Sequence, residues 1–502
     1  MPRFERWLRT YGAAFAAIAS AIVIWWVWGQ ARPIPVIHDE ASYLLQADIF
    51  ARGRWTVPAP PLPEFFEQPH VQVLPAVASK YPPGHALLLA PGALMGFPAL
   101  VPLLLTGVTA ALLFALVMRV SSPWVALVAW PTWLFAPVVL RFQPSYLSEL
   151  TTTALLLGSW WALASWRETR KRGWLLALAL CIGWGAITRP LTMLAFAIPI
   201  GLVVITDVVR GRHWRDFGLA VALGVAVLSI LPLWSARTTG SWRVTPIAKY
   251  RLDYLPFDNM GFSADTTPPR RRAAMSKVLD ETYTYFFDVH RQQTLDALPR
   301  TTAQRVLALG SDIFAGARLP LLLLAIVGLF HMTAAMRFAA GSAVLLFVVH
   351  LPYAHWPPWT VYYLEAIPVA ATLVGLGAWH LARRLGEQRA TAAMVSAAAL
   401  ISIVGGFAAT NARAQRLGSL VFRMQNQISS ILPRLPSPGI LFVRYSPRLP
   451  MNPAIVRNSA DLEADSIWIV HDLGPRNEAL TRLAPQRATH SVDIDRMVRG
   501  RR

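Results

Sequence analysis

Long unbroken apolar runs dominate this chain. They predict membrane helices at approximately 11–29, 98–118, 123–140, 145–166, 173–187, 190–207, 217–235, 317–332, 339–352, 361–380 and 391–409. Residues 85–97 either extend the second span or form a separate half-helix. Runs of about twenty apolar residues suit a helix crossing a ~30 Å hydrocarbon core. A β-barrel would instead alternate polar and apolar positions in segments of about ten. The fold expected is therefore an all-α polytopic membrane protein with about eleven spans. The first run is longer than a signal-peptide core and has no small-x-small cleavage site before Arg32-Pro33. It reads as a retained helix.

Three long polar segments interrupt the pattern: 30–84, 236–316 and 412–502. The last of these changes character. Gly439–Tyr445 and Ser466–Val470 are strand-like runs, 476–483 reads as a short helix, and Ala488–Asp493 reads as a third strand. The expected organisation is a transmembrane domain over 1–411 and a small α/β domain over 412–502.

Composition agrees with the pattern: 55% of the residues are hydrophobic. The net charge of +20 would suggest nucleic acid in a soluble protein. Here the basic residues sit in short loops between spans, which is topology information. One set of loops holds Arg3, Arg6, Arg9, Arg119, Arg167, Arg170, Lys171, Arg172, Arg210, Arg212, Arg215, Arg337, Arg383, Arg384 and Arg389; the opposite set holds little beyond Arg141 and Arg189. The basic set is expected in the cytoplasm, with the N-terminus. An odd span count then puts the C-terminal domain and all three polar segments outside the plasma (inner) membrane. The remaining positive charge suits anionic lipid or a phosphate-bearing substrate. The single cysteine, Cys181, lies within a predicted helix, so no disulfide framework or cysteine metal site forms within the chain. There is no phosphate-binding glycine loop, and an outer-face enzyme needs a substrate that carries its own activation.

The polar face holds an ordered set of motifs. Asp39-Glu40 is followed by Tyr43 and then Ala47…Gly53. Lys80-Tyr81-Pro82-Pro83-Gly84-His85, Arg141…Glu149 and Thr188-Arg189-Pro190 come next. Arg237…Gly240 with Pro246 and Tyr250, and then Tyr362-Tyr363…Pro368, complete the series. In these residues and their order the chain resembles the GT-C superfamily of integral-membrane glycosyltransferases, in particular bacterial relatives of protein O-mannosyltransferases and of the aminoarabinose lipid A transferase. The resemblance implies a sugar donor linked to polyprenyl phosphate and transfer to a glycan, lipid or protein acceptor at the outer face. It implies Asp39 as catalytic base and membrane-surface helices in the first outer loop. The chain departs from the pattern at Arg237-Thr238, where relatives often have Arg-Asn. It departs again at Tyr362-Tyr363, where many have Arg-Tyr, and at Glu149, where Asp is commoner.

The reaction needs few groups. A lipid phosphate leaves readily, so no general acid is essential, unlike glycoside hydrolysis with its two carboxylates. One base for the acceptor hydroxyl and cations for the departing phosphate suffice. Asp39 is the candidate base with Glu40 in support; either carboxylate would also serve as a helix cap. Lys80, held by the prolines after it, is a candidate phosphate ligand or an interfacial lysine snorkelling to water. His85, Arg189 and Arg237 are further candidates for donor phosphate. Arg189 calls for an anionic partner, either phosphate or an acidic side chain. Arg141 and Glu149 could pair with each other or line the substrate. Tyr43, Tyr81, Tyr250, Tyr362 and Tyr363 are candidate substrate contacts, the last two also reading as interfacial belt residues. Arg270-Arg271-Arg272 reads as a solvated or lipid-surface cluster.

A divalent metal is an open alternative, with His38, Asp39, Glu67, His70 and Glu149 as the pool; no tight His-x-His or Asp-x-Asp spacing within that pool favours it. The rival function is a lipid-linked sugar transporter or flippase. Transporters tend to show internal repeats and mid-membrane polar breaks, whereas the polar residues here gather at one face.

Overall fold

The computed structural model describes residues 2–29, 34–271, 275–385, 388–449 and 452–499. The chain is mostly helical and divides into two compact units. The first comprises Met1–Gln30, Leu100–Ser229 and Asp296–Gln415; the second comprises Ala31–Ala99, Ile230–Leu295 and Arg416–Arg502.

Among the described residues six helices are long and apolar enough to cross a membrane: Arg3–Trp28, Leu100–Val120, Pro190–Gly211, Trp214–Thr239, Thr360–Arg384 and Ala392–Arg434. The pair Leu298–Phe314 and Gly316–Leu329, bent by 88°, makes a seventh if it is one broken span. The other expected spans are helical but shorter or more polar. Arg172–Ala186 and Ala334–Val349 fall short of a full crossing. The expected 123–140 span is broken: Pro123–Leu134 stops before Pro137, which starts a second, short helix. Glu149–Thr169 is one continuous helix whose apolar run is diluted by threonines, serines and a charged last turn.

Helix starts follow local chemistry. Ser122 accepts the Val125 N–H ahead of Pro123, and Thr333 accepts that of Met336. Within the first unit the helices approach closely at glycines. A Cβ at Gly377 would strike the Leu324 carbonyl, one at Gly328 the Leu373 carbonyl, and one at Gly406 the Phe135 carbonyl. Small residues at such crossings let backbones approach where no hydrophobic effect drives helices together.

Arg318 sits at the bend, fully buried, and among the described residues it pairs with no carboxylate. Its guanidinium donates to the carbonyls of Ile313 (2.7 Å), Phe135 (2.7 Å), Ser402 (2.7 Å) and Thr132 (2.8 Å). Thr132 and Phe135 lie where the Pro123–Leu134 helix ends and its carbonyls lose their intrahelical partners. One side chain thus satisfies groups that a membrane interior cannot hydrate.

The second unit contains two three-stranded sheets. In one, Ala76–Ser79 pairs antiparallel with Val57–Pro58 and Val71–Gln72. In the other, Gly439–Arg444 lies parallel between Ile467–His471 and Ala488–Asp493. These three strands and the helix Asn477–Leu483 match the elements read from the sequence to within two residues at each end. The central strand is buried from Gly439 to Val443, as expected of a parallel strand covered on both faces. Part of its cover comes from early in the chain: Phe65 and Phe66 pack with Phe442, Trp468 and Leu480. The N–H of Ala460 donates to Asp48 at 2.9 Å.

Candidate active site

In the second unit, the helix His38–Ala51 begins with Ile37 extended and Glu40 as its capping carboxylate. Glu40 Oε1 accepts the N–H groups of Val36 and Ile37, both at 3.0 Å. This is the helix-start role that the sequence allowed for either acid, and it leaves Asp39 for other contacts. The Asp39 side chain is 33% exposed. The Tyr81 hydroxyl donates to its Oδ1, and His70 Nε2 lies 3.6 Å from its Oδ2.

The partners of Asp39 arrive on a clamped hairpin. Gln46 Oε1 accepts the Ser79 N–H at 3.0 Å, fixing the Ala76–Ser79 strand against the helix. The Lys80 N–H and the Ser42 hydroxyl both reach the His70 carbonyl, at 2.9 and 2.8 Å. His70 adopts a left-handed backbone, φ 66°, and its N–H donates to the Tyr250 hydroxyl at 2.9 Å. Few non-glycine residues hold this conformation, and here neighbours on every side enforce it. The Tyr43 ring stacks on Tyr81 at 4.8 Å, and the buried His85 meets Tyr43 edge-on at 4.8 Å. Tyr43 and His85 thereby support the tyrosine that bonds Asp39.

Lys80 is buried, its Nζ 3.4 Å from Asp258 Oδ2 and about equally spaced from the rings of Tyr81 (5.2 Å) and Tyr250 (5.0 Å). A snorkelling lysine would be exposed; this one is caged by an acid and two π faces. His290 Nε2 lies 3.6 Å from the other oxygen of Asp258.

Burial alone would push the Asp39 carboxyl up. The neighbouring His70, the Tyr81 hydrogen bond and the Lys80 charge outweigh it and hold the carboxyl below its ordinary range. Burial, with help from the Lys80 charge, drives His70 down to about 3. At neutral pH the imidazole is therefore uncharged, and Tyr81 and Lys80 keep Asp39 ionised. Burial also lowers His38 and His471, each to about 4.

These buried histidines predict acid lability. Unfolded, each takes up a proton near pH 6.5; folded, none does so until about pH 4 or 3. Between those values the unfolded chain binds more protons, so stability falls as pH falls. Thermal unfolding in detergent should show a declining midpoint from pH 6.5 to 4, and His471→Gln should flatten the decline. A midpoint constant over that range would contradict the buried neutral histidines.

Glu67 and Arg271 form a second brace in this unit. Arg271 Nη2 and Nε donate to Glu67 Oε1 at 2.6 and 2.9 Å, Tyr254 adds its hydroxyl at 2.9 Å, and His471 Nε2 meets the Glu67 carbonyl at 2.5 Å. The arginine run expected to be solvated is thus paired at its middle residue; Arg272 lies outside the described residues. Arg237 is exposed at the end of the helix Ile230–Thr239.

The first unit has its own buried polar cluster. Arg189 precedes the helix Pro190–Gly211, and its Nη1 lies 2.6 Å from Glu149 Oε1. Its Nε lies 4.0 Å from Glu365, which accepts the Thr152 hydroxyl. Tyr362 lies under the guanidinium at 5.8 Å. Arg141 instead pairs with Asp312 at 3.4 Å. Of the alternatives open in the sequence, Arg189 has taken acidic side chains, and Arg141 and Glu149 have separate partners. Tyr363 is buried, with its hydroxyl 3.0 Å from His355 Nε2. Among the described residues no three His, Cys, Asp or Glu side chains group closely enough to hold a metal ion.

Asp258, His290 and Asp312 were not singled out from the sequence. Each is a lone polar residue in a loop or on a helix, with no spacing that marks it. His70 was legible only as a member of the metal pool.

No protein-family model and no curated protein matches the chain. Among solved structures it is similar to ArnT from Cupriavidus metallidurans. The form bound to undecaprenyl phosphate matches with a TM-score of 0.53 and 16% identity, over 97% of this chain and 91% of that one. The apo form matches with a TM-score of 0.54 and 16% identity, over 97% and 90%. The archaeal oligosaccharyltransferase AglB from Archaeoglobus fulgidus, solved with an inhibitory peptide and a dolichol-phosphate, matches with a TM-score of 0.41 and 12% identity, over 87% of this chain and 62% of that one. At such identity the likeness is one of fold, and over nearly its whole length this chain has the fold of ArnT.

Proposed function

We propose that this protein is a membrane glycosyltransferase that moves a sugar from a polyprenyl-phosphate carrier to an acceptor hydroxyl at the outer face of the cytoplasmic membrane. One observation carries the reading. A partly exposed carboxylate, Asp39, is kept ionised by Tyr81 and Lys80 on a fold whose solved example binds undecaprenyl phosphate. In the reaction the acceptor oxygen attacks the anomeric carbon, and its proton passes to Asp39. The bond from that carbon to the phosphate oxygen breaks, and polyprenyl phosphate departs with the electron pair. Attack opposite the leaving group inverts the anomeric centre. Lys80 supplies the positive charge for the departing phosphate by exchanging its contact with Asp258.

The low basicity of Asp39 matches this chemistry. A carboxylate held below its usual range is a poor base for an intact hydroxyl. It suffices when the leaving group has largely departed and the attacking hydroxyl has become acidic. Tyr81 and the neutral His70 then keep the carboxylate aligned without competing for the proton.

The test is to give purified protein a panel of polyprenyl-phosphate sugars with candidate acceptors. One donor should be consumed, with polyprenyl phosphate and a glycosylated acceptor appearing in equal amounts. The rate profile should show no acid limb from Asp39 between pH 5 and 8, because the carboxyl is ionised throughout. Donor movement across vesicle bilayers without bond cleavage would overturn the proposal in favour of a flippase.

A further inference from the structure

The segment after the helix Ile230–Thr239 exposes apolar and basic side chains together. This helix ends the candidate span Trp214–Thr239. Gly240 stops it in a left-handed conformation, φ 80°. The chain then folds back on the helix end: Thr239 Oγ1 lies 2.9 Å from the Val244 carbonyl and 3.0 Å from that of Ser241. Residues 241–244 therefore stay at the level where the helix stops. Leu233 and Arg237 are exposed one turn apart on the same face. That is the arrangement of an apolar side chain in hydrocarbon with an arginine reaching the headgroups. Trp242 is 61% exposed, and the Arg243 guanidinium stacks 4.8 Å from its ring.

The next helix, Pro246–Tyr254, is two-faced. Pro246, Tyr250, Asp253 and Tyr254 are buried. Tyr250 holds the His70 N–H and lies beside Lys80. At about 100° per residue, Leu252 falls on the other side and the half-buried Arg251 between the two; Leu252 is 38% exposed, and Ile247, in the first turn on the edge of the buried face, is 44% exposed. From Phe217 to Leu252 the chain has no acidic residue, while Arg237, Arg243, Lys249 and Arg251 are basic. Lys249 is engaged by Asp253 at 2.6 Å.

We infer that Arg237–Leu252 is a docking face for the anionic phospholipids of the bilayer, its apolar tips at the acyl boundary and its arginines on the phosphates. A second copy of this chain is a poor occupant, because the face would meet its own charge. The bilayer is a good one, since the fold-back onto Thr239 holds the face at headgroup depth and polybasic segments beside a span attract anionic lipid. The inner face of the same helix carries Tyr250, so docking would steady the wall behind His70 and Lys80. The docking itself concerns the membrane and not the reaction, so failure of the transferase reading leaves it standing.

The test uses the full chain with Cys181→Ala, which removes its single cysteine, and a spin label on Trp242→Cys or Ile247→Cys. Collisions with oxygen and with a water-soluble nickel chelate report depth in nanodiscs of phosphatidylcholine alone or mixed with phosphatidylglycerol. With phosphatidylglycerol both labels should sit about 5 Å or more below the phosphates. They should be several ångströms shallower without it, and Arg243→Glu with Arg251→Glu should remove the difference. The label sites are exposed, and the unfolding temperature checks that the variants are intact. Labels in water in both bilayers, equal depth in both, or shielding from both reagents by a protein contact would each overturn the inference.

Discussion

Asp39→Asn is expected to lower turnover by about a thousandfold while leaving donor binding within about twofold. Asparagine keeps the size and can still accept the Tyr81 hydroxyl, so the local packing survives. What it lacks is a place for the acceptor proton. Positioned bases contribute roughly 10²- to 10⁴-fold. A loss of about a thousandfold is the middle of that range, because the amide that replaces the carboxylate has no atom that holds the proton near neutral pH. Tyr81→Phe should cost less, about tenfold, and should raise the apparent pKa of the carboxyl by removing one of the groups that favours its charge. Single-turnover rates with a radiolabelled donor separate the two variants from a binding defect. Turnover by Asp39→Asn within tenfold of the native protein would remove this carboxylate from the mechanism.

Arg318→Met is expected to be the most damaging single change to stability, on the order of 3 to 5 kcal/mol. Methionine fills much of the volume but satisfies none of the four carbonyls that Arg318 serves. Those carbonyls belong to a helix end, a bend and a helix crossed at glycines, so neither water nor a small rearrangement replaces the donors. Gly405 leaves room for the stem of Arg318: a Cβ there would press on its Cγ. Arg318→Lys should recover only part of the loss, because an ammonium has three donors and no planar fork. Unfolding in mixed micelles measures both variants. Native-like stability of Arg318→Met would show that the bend is held by packing alone.

The hydropathy pattern was sufficient for the helical membrane class and for the three C-terminal strands, since burial on one or both faces is written locally at 3.6- or 2-residue spacing. It was also sufficient to mark Asp39, Lys80 and Tyr81 as one group, because they flank the first polar excursion from the membrane. Six of the expected spans coincide with helices long and apolar enough to cross a membrane among the described residues, but apolarity does not reveal where a helix breaks. The 123–140 run is as greasy as its neighbours, yet it ends before Pro137.

Partnership was decided only by the tertiary structure. Lys80 is caged by Asp258, 178 positions away, and Arg141 went to Asp312 while Glu149 went to Arg189. A charged side chain announces that it needs a counter-charge or a ring of carbonyls. Which one it meets depends on which helix ends and loops are brought together, and Coulomb attraction at a few ångströms is blind to separation along the chain. For the same reason Glu40, beside Asp39 and chemically its near twin, became a helix cap while Asp39 kept the exposed position: one step along a helix turns a side chain by about 100°.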